Sequence, residues 1–236
     1  MWGNYQYVSV AEKKAKAMTS LEKLKKNNKE IEPVIIKGNK VATTWWGMSW
    51  NKNLESYADY SNRIGRGRSY ARNGYVLDLK IKTGKIVALV QGSGSKPYKI
   101  EIEIKPLSKN KWEKLLEKCS HQIDSLSALA SGEFPIELEN LFMTKENGLF
   151  PSPKEIKFDC SCPDWAYMCK HVSAVLYGIG ARLDEDPLLF FKLRDIDFEA
   201  LLKKSVEEKM EDLLQNADNK TDRVIDDLEI EDLFGL

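Results

Sequence analysis

A cluster of metal-binding residue types lies between positions 160 and 171 of this 236-residue sequence. Cys160, Cys162, Cys169 and His171 are spaced C-x-C-x6-C-x-H, and they include three of the four cysteines and one of the two histidines. Thiolates and imidazoles are preferred ligands of Zn²⁺, and four of them complete a tetrahedral site. The spacing therefore predicts a bound zinc ion as the cofactor.

Other interpretations of these four residues are a disulfide, a nucleophilic site and chance placement in the core, the last of which is disfavoured by four ligand types lying together. A disulfide is disfavoured, because no apolar run near the start resembles a signal peptide and we expect an intracellular protein with reduced thiols. A Cys–His nucleophile requires an orienting acid and only one cysteine. Four ligands, with no glutamate in an H-x-E or H-E-x-x-H arrangement, favour a closed structural site over a catalytic one.

Two predicted elements position these ligands. The segment IKFDCSC (156–162) alternates in hydrophobicity, so an extended chain directs Cys160 and Cys162 to one side. Apolar residues at helical spacing follow His171 and predict an amphipathic helix: Val172, Val175, Leu176, Ile179 and Leu183. Positions i and i+2 diverge by about 200° on a helix. Cys169 is therefore expected in the turn and His171 in the first helical turn, which gives a strand–turn–helix finger.

The rest of the sequence predicts an α+β fold. Segments 75–81, 85–92 and 98–105 carry β patterns and predict a three-stranded antiparallel meander, buried on one face and covered by helices. Helices are predicted at 9–26, within 45–59, after a Ser108 cap, at 134–148 and beyond residue 186. The tryptophans of TWWGMSW, at positions 45, 46 and 50, are expected to anchor the core.

Composition suggests four segments along the chain. They are an N-terminal helical extension (1–37), an α+β domain with the sheet and a basic loop (38–150), the finger with following helices (151–200) and an acidic C-terminal tail (201–236). The net charge is zero, but residues 1–159 hold 27 Lys and Arg against 18 Asp and Glu, and residues 160–236 hold 9 against 18. A basic part and an acidic part indicate two kinds of contact.

The segment SNRIGRGRSYARNG (61–74) is predicted to be a basic loop. Guanidinium groups suit phosphate and a tyrosine ring can stack on a base, so we predict nucleic-acid contacts there. Lys170, between the last two metal ligands, could reach a phosphate beside the finger. The predicted contact residues are Arg63, Arg66, Arg68, Tyr70, Arg72 and Lys170. The alternative is that the basic loop pairs with the acidic C-terminal half.

The ligand segment CSCPDWAYMCKHVSAVLY resembles the SWIM zinc finger. The segments TWWGMSW, GRGRSYARNGYVLDL, KPYKIEIEIKPL and DPLLFFKLR look like the flanking segments of a bacterial SWIM protein family, so the resemblance covers roughly residues 43–196. It implies a zinc-binding module with DNA-binding or protein-binding roles, found in bacteria beside Swi/Snf-type helicase ATPases. It implies no activity.

We therefore predict a non-enzymatic zinc module that binds nucleic acid, DNA in particular, as an accessory to a helicase-type ATPase. Paired carboxylates, a nucleophile elbow and a nucleotide fingerprint are missing from the sequence. One alternative is a protein-interaction adaptor, with the finger as scaffold and the tail DDLEIEDLFGL as docking element. A hydrolase or nuclease with a site assembled from distant residues is a third. No apolar stretch reaches about 20 residues, so we expect a cytoplasmic protein without a membrane partner.

Overall fold

The computed structural model describes residues 8–28, 30–56, 61–119 and 148–216, and these form an α+β fold. Their elements, in chain order, are α1 (Val10–Asn27), α2 (Trp45–Glu55), α3 (Ser61–Arg72), β1 (Val76–Lys82), β2 (Lys85–Val90), β3 (Tyr98–Ile104), α4 (Lys109–Cys119), β4 (Ile156–Cys160), α5 (Lys170–Glu185), α6 (Leu188–Leu193) and α7 (Phe198–Asn216). The sequence also predicts that Cys119 is buried in an apolar helical stripe and that His121 is an ordinary surface histidine. These two side chains, the helix predicted at 134–148 and the tail after residue 216 lie outside the described residues.

The sheet has four antiparallel strands in the order β1-β2-β3-β4. The three predicted strands are confirmed, but the prediction of a three-stranded meander is wrong in strand number. The ligand-bearing strand β4 pairs with β3, placing Ile156 opposite Ile104 and Cys160 opposite Ile100. The finger therefore shares its backbone hydrogen bonds with the sheet. The division into four segments stays a prediction, although this sheet joins strands from two of them.

Alternation of residue types gives the sheet one buried face. Lys82 pairs with Lys85 across the Thr83–Gly84 turn, where Gly84 has a φ of 64° that favours glycine. In β3 the isoleucines 100, 102 and 104 are buried, whereas the intervening charged residues are exposed. Since Cys160 lies opposite Ile100, its thiol is on the buried face, where α5 packs.

Residues 61–72 form the helix α3 and not the predicted basic loop. The glycines of this segment indicate a loop, because glycine disfavours an isolated helix. In the fold α3 packs closely against α5. A Cβ added to Gly67 would lie 2.3 Å from Ser173 Cβ and 2.9 Å from Ala174 N, so Gly67 permits the close approach. Packing between the helices overrides the local preference.

The predicted tryptophan core is confirmed for Trp46 and Trp50, which are fully buried. Trp46 packs against Phe190 and Phe191 of α6, with ring centroids 5.5 and 5.8 Å away. Trp50 Nε1 donates a 2.9 Å hydrogen bond to Leu176 O of α5. These contacts hold α5, which is the helix of the finger, between α2 and the sheet.

A buried arginine, Arg194, forms an ion pair with Glu155 before β4 and a hydrogen bond to the segment after β3. Arg194 is fully buried; it donates to Lys105 O at 2.7 Å and to Glu155 Oε1 at 2.8 Å. Burial raises the pKa of the Glu155 carboxyl, but hydrogen bonds from Arg194 and Ser152 outweigh it and lower that pKa to about 2.

Replacing Glu155 by alanine is expected to lower the free energy of unfolding by roughly 3–5 kcal/mol, because Arg194 keeps a buried charge without its counter-charge. The pair contributes stability above the unfolded-state pKa of Glu155, near 4.5, and loses it as the pH falls towards 2. Urea midpoints of wild type and Glu155→Ala should therefore converge between about pH 5 and pH 2.

Glu101→Ala is the matched control for this prediction. Glu101 pairs with Lys85 on the exposed face of β3, and such surface pairs contribute little to stability. Both variants retain the same cysteine and histidine residues, so comparing them removes any acid-dependent loss of metal. A Glu155→Ala midpoint offset that stays constant down to pH 2 would contradict the assigned role.

Candidate metal centre

The four predicted ligands come from the two arms of the finger. Cys160 is the last residue of β4 and Cys162 follows it by two positions. Cys169 is the N-cap residue of α5 with an extended φ, ψ of −71°, 167°, and His171 is the second residue of that helix. The predicted placement, with Cys169 in the turn and His171 in the first helical turn, is confirmed.

The four ligand atoms lie close enough to share one metal ion. All of them are within 4.8 Å of one another, and Cys169 Sγ is 3.9 Å from His171 Nδ1. Zinc–ligand bonds of 2.0–2.3 Å put tetrahedral ligand atoms about 3.3–3.8 Å apart. Cys169 and His171 are buried, Cys160 and Cys162 are half-buried, and these three cysteines are free of disulfides. Donor types and spacing both fit zinc.

Hydrogen bonds within the cluster already favour a thiolate. The hydrogen bond from Cys160, helped by His171 and the backbone N–H of Val172, lowers the pKa of the Cys169 thiol to about 4. The same Cys160–Cys169 bond raises the pKa of Cys160, and burial raises the pKa of Cys162. Because metal binding requires thiolates, loading the site must release protons and become weaker in acid.

His171 is oriented by aromatic packing. Its ring centroid lies 4.5 Å from that of Tyr98 in β3 and 5.6 Å from that of Tyr70 in α3. Nε2 is buried and makes no hydrogen bond with any described residue. A Cβ on Gly92 would come within 2.8 Å of Nε2, so the backbone after β2 closes this side. Nδ1, on the side of Cys169, is therefore the nitrogen available to the metal.

The turn of the finger, residues 161–169, is held against α3. Arg63 donates to both carboxylate oxygens of Asp164 at 3.3 and 3.1 Å, which lowers the pKa of that carboxyl. Asp164 Oδ1 also accepts from Ala166 N at 3.2 Å. The Arg63 guanidinium carbon lies 5.4 Å from the ring centroid of Trp165. One arginine thus fixes the turn between the second and third ligands.

The structure separates the predicted nucleic-acid contacts into two groups. Arg63, Arg68 and Arg72 contact other parts of the chain: Arg68 bonds Glu55 and Tyr177, and Arg72 donates to Asn39 at 3.3 Å. The other three line one cavity of about 420 Å³, here called the basic cleft, whose lining residues are Lys13, Arg66, Ser69, Tyr70, Ser93 and Lys170.

Sequence analysis missed Lys13, Ser69 and Ser93. Ser69 lies one helical turn after Arg66 on α3, so recognising that helix would have found it. Lys13 is in α1 and Ser93 follows β2, and no local pattern links positions so far apart in sequence. Lys16 of α1 also reaches this region, since its Nζ donates to Ser93 O at 2.9 Å. The docking of α1 on the sheet brings its lysines there.

The fold and the ligand set define a zinc finger of strand–turn–helix form. Residues 151–178 match the family model of the SWIM zinc finger, and all four ligands lie within that range, so this segment is a SWIM zinc finger with a site suited to zinc. Among the described helices, none has the length and apolar character needed to cross a membrane.

A curated relative extends the similarity beyond the finger. The chain is 39% identical over 163 residues to Uncharacterized protein Rv2102 of Mycobacterium tuberculosis (strain ATCC 25618 / H37Rv). The match covers 69% of this chain and 58% of the relative, so the chain spans less than two thirds of that protein. No solved structure matches.

Proposed function

We propose that this protein is a non-enzymatic zinc module that binds nucleic acid, DNA in the first instance, through the basic cleft beside its finger. The observation that carries the proposal is the composition of that cleft. Three cationic side chains, two hydroxyls and a tyrosine ring line it, and none of these six residues is acidic. Cations and hydroxyl donors are the groups that bind a phosphate backbone.

Two of the cations are available for an external phosphate. Arg66 is exposed and Lys170 half-buried, and neither forms an ion pair with another residue in the described parts of the chain. By contrast, Arg63 and Arg68 of the same helix are bonded to Asp164 and Glu55. The favourable sites for phosphate are therefore Arg66 and Lys170.

Zinc would act here as a scaffold. Lys170 lies between the ligands Cys169 and His171, and Tyr70 of the cleft contacts the His171 ring. Once bound, the metal supplies a rigid tie between β4 and the first turn of α5. The protein groups around it then place Lys170 and Tyr70 on one wall of the cleft.

Reversing the two cations should remove most of the affinity. We expect Arg66→Glu with Lys170→Glu to weaken binding to labelled DNA by at least about tenfold. The magnitude of the slope of log K against log salt should decrease by about 2, because two phosphate contacts are lost. Fluorescence anisotropy across a salt series measures both quantities, and zinc content confirms that the finger remains loaded.

Lys82→Glu with Lys192→Glu is the control, since it makes the same change in net charge at exposed positions outside the cleft. Lys82 lies at the hairpin end of β1 and Lys192 in α6. Equal losses in both double variants would show that only the overall charge matters, and would remove the cleft from the proposal.

The adaptor function is a second candidate, and one observation favours it. Among the described residues, helix α7 exposes apolar side chains at helical spacing: Val206, Met210, Leu213 and Leu214. Such a stripe suits a protein partner, for which a Swi/Snf-type helicase ATPase is our proposal. The same titration separates the functions, because an adaptor shows no salt-dependent affinity for DNA. Cytoplasmic location stays a prediction.

A further inference from the structure

We propose that the preferred ligand of the basic cleft is a single-stranded nucleic acid, one of whose bases stacks on Trp165 in the turn of the finger. This inference rests on the proposed function, since it names the form of nucleic acid that the same surface would take. It adds Trp165, which sequence analysis did not select. It also accounts for a preference for single strands over duplexes, which phosphate contacts alone do not provide.

Trp165 is a large apolar side chain placed in solvent. Its side chain is 78% exposed, whereas Trp46 and Trp50 are fully buried. An indole left in water forgoes the free energy of burial, and large aromatic residues are normally well buried in a folded protein. Exposure of this ring therefore points to a ligand that covers it.

The surroundings of Trp165 hold it in place. It lies between the second and third metal ligands, next to Asp164, which is bonded to Arg63 and to Ala166 N. The Arg63 guanidinium is 5.4 Å from the indole centroid. A ring that is fixed and still exposed loses little conformational entropy when a base stacks on it. Arg63 is expected from the sequence to contact phosphate, but here it would support the ring on which the base stacks.

Helix α3 connects this ring to the basic cleft. Arg63, Arg66 and Tyr70 are spaced i, i+3 and i+7, so they lie along one face over about 10 Å. Arg63 contacts Trp165, whereas Arg66 and Tyr70 line the cleft with Lys170. A strand whose base stacks on Trp165 can therefore continue its backbone along α3 into the cations.

This arrangement favours single strands over duplexes. In a duplex both faces of an internal base are covered by neighbouring bases, so an indole finds no free face to stack on. An unpaired strand offers those faces, and platforms of aromatic rings beside basic grooves are the usual means of binding it. Charge complementarity favours nucleic acid over a peptide, because the cleft beside the ring is cationic.

The test compares a labelled oligothymidine, the oligouridine of the same length and a matched DNA duplex, using the zinc-loaded full chain. Trp165→Ala should weaken binding of the single strand by roughly 5- to 100-fold, the contribution of one stacked base, and leave the duplex unchanged. Trp165→Phe should retain most of the affinity. Ile35→Ala, at an exposed apolar residue outside the cleft, is the control.

A second readout does not depend on the stability of the alanine variant. Base stacking on an indole quenches its fluorescence, so single strands should quench wild-type emission. Trp165→Phe should lose that quench while it still binds. The comparison of thymidine and uridine strands shows whether the strand is DNA or RNA.

The possible results separate this inference from the function it rests on. If wild type binds neither single strands nor duplexes in a salt-dependent way, the proposed function fails. If it binds, but duplex and single strand bind equally, or Trp165→Ala and Trp165→Phe behave as wild type in affinity and quench, the function stands and the stacking proposal is overturned. In that last case a protein partner for the exposed indole becomes the better explanation.

Discussion

Replacing Cys169 by serine is expected to abolish zinc binding and to unfold the finger. Cys169 is 1% exposed, and it is both a ligand and the N-cap residue of α5. In small zinc domains the free energy of metal binding is folding free energy, on the order of 10 kcal/mol near neutral pH. Zinc content, helical circular dichroism and the urea midpoint should all fall. Chelation of the wild type should produce the same changes.

Cys119→Ser is the matched control for the ligand assignment. It makes the same chemical change at the fourth cysteine, which lies outside the C-x-C-x6-C-x-H spacing. This variant should retain one zinc ion per chain. A fully loaded Cys169→Ser protein would refute the assignment of the four ligands, whatever its stability.

Replacing Gly67 by alanine is expected to separate α3 from the finger helix. The new methyl group would meet Ser173 Cβ at 2.3 Å and Ala174 N at 2.9 Å, and the latter is backbone that cannot rotate away. Overpacking of this kind costs roughly 1–3 kcal/mol, and exceeds the helix-propensity gain of about 1 kcal/mol from glycine to alanine. The free energy of unfolding should fall, and DNA affinity with it, because α3 carries Arg66 and Tyr70.

Gly65 provides the control two residues away on the same helix. A Cβ at Gly65 meets no described atom within 4 Å, so Gly65→Ala changes helix propensity with no steric cost. It should stabilise the protein by about 0.5–1 kcal/mol. Urea unfolding of the two variants should therefore shift in opposite directions. If Gly67→Ala is as stable as Gly65→Ala, the claim that Gly67 is needed for close packing of α3 on α5 is contradicted.

The strands and the metal ligands could be predicted because their signals are local. Alternation in YKIEIEI places isoleucines on one face, and the same alternation in IKFDC places Cys160 on the side of the core. The ligand spacing also fixes Cys169 before the helix, since two residues cannot share a metal across 200° of a helix. Each of these arguments needs only a few neighbouring residues.

The features that sequence analysis missed depend on contacts distant in sequence. Helix α3 forms with two glycines because Gly67 packs on Ser173, more than one hundred positions later. Which arginines are engaged within the chain follows from Asp164 and Glu55, and neither is visible as a partner in the basic segment itself. The pairing of β4 with β3 is likewise a tertiary fact. Sequence analysis selected three residues of the cleft, Arg66, Tyr70 and Lys170, and missed the others, which lie in α1, on α3 and after β2.

The pairing of β4 with β3 has a consequence for how this protein could have been assembled in evolution. The recognisable SWIM segment is 151–178, but its strand hydrogen-bonds to β3, and its histidine packs on Tyr98 of β3 and Tyr70 of α3. Recombination that moved the segment alone would carry four ligands without the surfaces that orient them. Finger, sheet and α3 therefore form one structural unit, and the short motif covers only part of it.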